Sequence, residues 1–133
     1  MSAVAIVINR LLAASPVTTV VGNKVYPVLM PQSTQPPAVA VHLISTVDHP
    51  DITGAGGYFR SVVQVDSMAT TGGAAIDLGE KIITALNGIV KQTVAGCENV
   101  DVLLDGGSDF TEYDELTGAA RRVTRFTVWW RRG

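Results

Sequence analysis

The chain has 133 residues, 47% of them hydrophobic and 17% charged, with a formal net charge of −2. That length suits one domain able to bury about two-thirds of the surface its unfolded chain exposes, and a slightly acidic balance argues against a dedicated nucleic-acid binder. Charged residues fall below the share of about a quarter usual in soluble domains, which leaves apolar surface for partners to cover.

The first segment, "SAVAIVINRLLAAS", is ambiguous by composition. Val4, Ile6, Val7 and Ile8 favour a strand, but Val4, Val7 or Ile8, Leu11 and Leu12 also follow a helical stripe, and "NRLLAAS" is poor strand material, so a helix is expected. Its apolar run is stopped by Asn9 and Arg10, far short of a membrane span. No basic leader precedes it, so the expected state is soluble and unexported. Ser15 before Pro16 reads as an N-cap with proline at N1, and Gly22 as a stop, giving a single short helical turn.

A brief strand over Lys24–Pro27 then leads into "YPVLMPQSTQPP", where Pro27, Pro31, Pro36 and Pro37 fix φ and remove donors. These prolines predict a semi-stiff extended arm, residues 26–37, whose apolar Val28, Leu29 and Met30 need a cover. "AVAVHLIS" is the first long strand, "STVDHPDITGAGGYF" a flexible loop, and "YFRSVVQVDSMA" a second long strand. In that strand Phe59, Val63 and Val65 share one face, Arg60, Gln64 and Asp66 the other. The main helix is expected from Gly73 to Asn87, ended by Gly88, with Ile76, Ile83, Leu86 and Val90 on one side and Leu78, Ile82 and Ile89 broadening it.

The remainder reads as a hairpin, "ENVDVLLDGGSDFTEYDE" and "AARRVTRFTVWWRR" around "LTG". Acidic residues crowd its first arm and arginines its second. A loop centred between Thr117 and Gly118 would set Asp114 opposite Arg121 and Glu112 opposite Val123. Thr124, Phe126, Val128 and Trp130 line one face of the last strand. The expected fold is therefore one α+β domain over residues 1–133: an antiparallel sheet of about four main strands, with the main helix and an N-terminal helix packed on it.

Residues able to carry chemistry are few. His42 lies in a strand and reads as a core or sheet-face histidine. His49, between Asp48 and Asp51, gives a weak metal signal on a loop. Cys97 stands alone, which excludes an intrachain disulfide and offers no metal spacing. "GAGG" precedes a strand and lacks the lysine of a phosphate loop. No catalytic residue, metal site or cofactor is expected, and the chain reads as a non-enzyme. Trp129 and Trp130 must point to opposite sides of their strand, so they cannot share one core, and one of them wants a partner.

Read in order, "VVGNKVYPVLMPQ", "PPAVAVHLIS", "RSVVQVDSMATT", "AAIDLGEKIITALNG" and "RRVTRFTVWWR" resemble the tail completion or tail terminator proteins of long-tailed phages and prophages over nearly the whole chain. The most specific pieces are Tyr26, Pro27, Pro31, Gln32 and Pro37, with the run Val63, Gln64, Val65, Asp66. The resemblance implies a structural virion protein, a small α+β subunit of a hexameric ring that caps the head-proximal end of the tail tube. There it would end tail polymerisation and help join tail to head. Its partners would be itself, the major tail tube protein and a head-tail connector or stopper protein. DNA would pass through the channel without specific binding, no membrane would be involved, and the ring would assemble in the host cytoplasm.

On this reading Tyr26, Pro27, Val28, Leu29, Met30, Pro31, Gln32, Trp130, Arg131 and Arg132 are expected at subunit or partner interfaces. Asp109, Glu112, Asp114 and Glu115 are candidates to face the channel. The alternatives are another head-tail connector or minor virion component, a small oligomeric enzyme using His49 and Asp51, or a nucleic-acid module using Trp130 and the terminal arginines.

Overall fold

A computed structural model describes residues 3–27, 36–48, 58–114 and 119–132; the side chains of residues 48, 106–110, 114, 119 and 132 fall outside that description. The described residues form three helices and six strands: α1 (Ala3–Leu12), α2 (Ser15–Val21), β1 (Val25–Pro27), β2 (Ala38–Asp48), β3 (Tyr58–Ala69), α3 (Gly72–Leu86), β4 (Ile89–Val94), β5 (Cys97–Asp114) and β6 (Ala119–Arg132).

The N-terminal ambiguity resolves as a helix because Ala3, Ile6, Val7 and Leu11 recur at helical spacing and are all buried. In α2, Val17 and Val21 supply the buried stripe. Ser15 is already helical: Ala14 takes the cap position, without a side-chain cap bond, and Gly22 closes the helix at φ 64°. No single helix among the described residues is long and apolar enough to cross a membrane.

The strands form one six-stranded sheet in the order β1-β2-β3-β6-β5-β4. Two features differ from the expected four-stranded antiparallel sheet. β1 joins β2 in parallel, with Val25 opposite Val39 and Pro27 opposite Val41. β4 adds the other edge, pairing with β5 through two register breaks. Its residues 90–93 are all exposed and Lys91 has φ 49°, so it carries no alternating pattern that would announce a strand.

The core lies between the helices and one face of the sheet. Phe126 of β6 is fully buried, in one cluster with Val63 and Val65 of β3, Leu78, Ile82 and Leu86 of α3, and Ile6 and Leu11 of α1. The predicted face of β6 holds, since Thr124, Phe126, Val128 and Trp130 are all buried.

On α3 the buried side is Ala75, Leu78, Gly79, Ile82 and Leu86, whereas Ile76 is 43% exposed. The expected stripe was rotated because Val90 and Ile89 belong to β4, and because Gly79 carries no side chain to mark it as a packing position. The helix is capped by Thr71, whose hydroxyl accepts from Ala74 N–H at 3.1 Å. At its other end Asn87 Oδ1 accepts Leu104 N–H at 3.0 Å and Gly88 N–H donates to Val102 O at 3.0 Å, tying the helix exit to β5.

The β5–β6 hairpin is shifted by two residues from the expected register. Glu112 stands opposite Arg121, Phe110 opposite Val123 and Asp114 opposite Ala119. An even shift leaves the described side chains on their expected faces.

Candidate interaction surfaces

Because Val63 and Val65 enter the core, Gln64 and Asp66 of β3 lie on the opposite face of the sheet. Asp66 is nevertheless only 2% exposed. Its carboxylate collects three donors: His42 Nε2 of β2 at 3.1 Å and Arg121 Nη1 of β6 at 3.4 Å on Oδ2, and Gln64 Nε2 at 3.0 Å on Oδ1. Arg121 continues to Glu112 of β5, and Gln64 Oε1 accepts from Arg125 Nε at 3.3 Å. This polar chain crosses four strands, β2 to β5. It satisfies a buried carboxylate that would otherwise be costly.

The alternation of β3 put Gln64 and Asp66 on its polar face, but nothing in the sequence joined His42 to them. Their meeting depends on the β2–β3 register, which sets His42 opposite Gln64 and Ala40 opposite Asp66, and the sequence carries no signal for it because residues 49–57 leave the loop length uninformative.

Toward the other end of the same strands the surface is aromatic and basic. Tyr58 stacks on Trp129 with ring centroids 5.8 Å apart, Arg60 lies over Trp129 at 5.6 Å, and Arg131 over Tyr58 at 5.9 Å. Burial, then Asp101, push the Tyr58 hydroxyl above its ordinary value, against the opposing charge of Arg131. A cleft beside it is lined by Tyr58, Ile89, Val90, Lys91, Asp101, Leu103 and Trp129.

The expected interface residues scatter over this frame. Tyr26 is half-buried and Pro27 exposed at the end of β1. Val28, Leu29, Met30, Pro31 and Gln32 lie outside the described residues. Trp130 is an interior residue of its own chain, 4% exposed, stacked on Phe59 at 4.6 Å and donating from Nε1 to Ser61 Oγ at 3.0 Å. The outward member of the tryptophan pair is Trp129. Arg131 is exposed, and the side chain of Arg132 lies outside the description.

Of the channel candidates, Glu112 is exposed and held by Arg121. Asp109 and Asp114 are placed on β5 by backbone alone, and Glu115 lies outside the described residues. His49 and Asp51 also lie outside them. Among the described residues no group of His, Cys, Asp and Glu is arranged to hold a metal.

The family profile described as tail completion protein gp17 matches residues 5–131. The chain belongs to that tail completion family. Its role is therefore structural, in a phage-like tail, and not catalytic. No curated protein matches the sequence. Among solved structures, a chain from the virion of a native gene transfer agent particle is similar at TM-score 0.68 and 21% identity, covering 98% of this tail completion protein and 95% of that chain. At that identity the likeness establishes a shared fold.

Proposed function

We propose that this tail completion protein caps the head-proximal end of a tail tube as a closed, hexameric ring, ends tube polymerisation and joins the tail to the head. The observation that carries the reading is the family match over residues 5–131. The similar fold of a chain from a gene transfer agent virion supports it, as does a surface with few charges and large exposed apolar side chains, Leu43, Ile44, Val90 and Leu103 among them. Heterologous contacts around a closed ring use two separate patches on every subunit, which accounts for apolar exposure on more than one side.

In this ring the proline arm, Pro27–Pro37, packs on the adjacent subunit. Burying Val28, Leu29 and Met30 there contributes about 4–8 kcal/mol of gross transfer energy, and the prolines lower the entropy lost on docking. Its partners are other copies of itself, the tail tube protein and a head-side connector. DNA traverses the ring without specific binding, past acidic residues that include Glu112.

The test is tube growth. Purified tube protein polymerising in the presence of this chain should yield tubes that stop growing and carry a ring at one end by electron microscopy; unlimited growth with no end ring would refute the reading. Replacing Leu29 and Met30 with serine should leave a folded subunit that fails to close rings.

A further inference from the structure

The two edges of the sheet are unequal. β4 is blunted: its pairing with β5 breaks twice, Lys91 sits in it at φ 49°, and four consecutive residues are solvated. At the other edge β1 covers β2 only from Val39 to Val41. Beyond Val41 no strand pairs with that side of β2 among the described residues, although β2 continues to Asp48. Leu43, Ile44 and Val47 are 45%, 45% and 42% exposed, and Ser45 and Thr46 between them are exposed too. The stretch "LISTV" has no charge and no proline, and only the bulge at Ile44 interrupts it. A row of unpaired backbone groups flanked by apolar side chains is a template for an added strand.

We propose that the Leu43–Val47 edge of β2 receives the proline arm of a second copy, residues 28–35, as an added strand. This rests on the ring reading above and names the surface on which its arm docks.

The subunit's own arm is too short to cover the whole of that edge. It leaves β1 at Pro27, level with Val41, and must be back at Pro36, just before Ala38. About nine Cα steps span at most ~31 Å, and the return to the start of β2 uses about 13–17 Å of that at ~3.3 Å per residue. The outward excursion left is about 7–9 Å, two to three residues past Val41, which ends at Leu43 or Ile44. Ser45, Thr46 and Val47 stay uncovered by it.

A neighbour's arm has no such tether. "VLMPQSTQ" matches the edge in carrying no charge, so neither partner buries an unpaired ion. Its one internal proline, Pro31, confines regular pairing to the short runs on either side. The β4 edge offers Lys91 and irregular pairing instead, which disfavours it as the receiving side.

The experiment mixes two variants of the full chain, each with one added cysteine, Leu29→Cys and Val47→Cys, with Cys97 left in place because it is buried. Assembly is followed by sedimentation, alone and on tail tubes, and the mixture is then mildly oxidised. A disulfide-linked dimer in the mixture, absent from either variant alone, is the expected result. Rings that form without that dimer overturn the edge assignment while leaving the ring intact, and so does intrachain closure of a chain carrying both cysteines at monomer dilution. A wild type that forms no ring in either condition overturns the ring reading and the docking site with it. As a second arm, Ile44→Lys with Val47→Lys should abolish ring closure, whereas Thr19→Lys, at an exposed position of α2 away from both sheet edges, should leave it unchanged; rings that close with Ile44→Lys and Val47→Lys in place overturn the edge assignment.

Discussion

Arg122 occupies the space that a side chain at position 79 would need. A Cβ on Gly79 would lie 2.5 Å from Arg122 Cδ and 3.1 Å from its Nε and Nη1. The arginine cannot swing aside freely, since it is 7% exposed and its Nη1 donates to Ile76 O at 3.0 Å and Glu80 Oε1 at 2.8 Å. Gly79→Ala should therefore destabilise by about 1–3 kcal/mol through overpacking, despite the gain of up to ~1 kcal/mol in helix propensity. In an Arg122→Ala background the same substitution should turn neutral or stabilising. Urea unfolding of the four proteins measures the coupling, and equal effects in both backgrounds would refute the contact.

Asp66 should be worth far more than Glu112, although both bind Arg121. Asp66 is buried under three donors, and Glu112 is half exposed. Asp66→Asn is expected to cost about 1.5–3 kcal/mol, as for hydrogen bonds to a charged group, and Glu112→Gln less than ~1 kcal/mol. Chemical denaturation in low and high salt separates them, because only the exposed pair is strongly screened.

The two tryptophans should fail in different ways. Trp130→Ala removes a core ring and its indole hydrogen bond to Ser61 Oγ, so a loss of about 3–5 kcal/mol in stability is expected. Trp129→Ala should change stability by less than half as much, since its ring is only partly buried. Calorimetry of both variants checks the order, and a reversed order would place the wrong tryptophan inside.

Tyr58 gives a stability change at high pH. Its hydroxyl ionises at a higher pH folded than unfolded, where the ordinary value is 10.0, so the folded state holds the proton longer. The stability tied to that proton is full below pH 10.0 and is lost as pH rises through the folded value. Thermal unfolding from pH 8 upward should fall less steeply for Tyr58→Phe than for wild type. Parallel curves would show that Tyr58 makes no such contribution.

Elements with a single strong local signal were legible in the sequence. The alternation in "YFRSVVQVDSMA" marked β3 at both ends, and the buried face of β6 followed from Thr124, Phe126, Val128 and Trp130. β1 was legible as a short strand, but its parallel pairing was not, because nothing local distinguishes parallel from antiparallel partners in three residues. β4 was hidden by its bulges and solvated middle, and the stripe of α3 was misread where Gly79 makes room for Arg122. The polar chain through Asp66 depends on long-range register between three separate stretches, which composition and periodicity do not encode. Most of the expected proline arm, residues 28–35, lies outside the described residues.

The proposed position of the ring, at the head-proximal end of the tube, is tested most directly by labelling. Tails assembled with an epitope-tagged chain and labelled with gold should carry label at one end only, the end that joins the head, with averaged end views resolving a closed ring. Label distributed along the tube, or confined to the tip far from the head, would contradict the account.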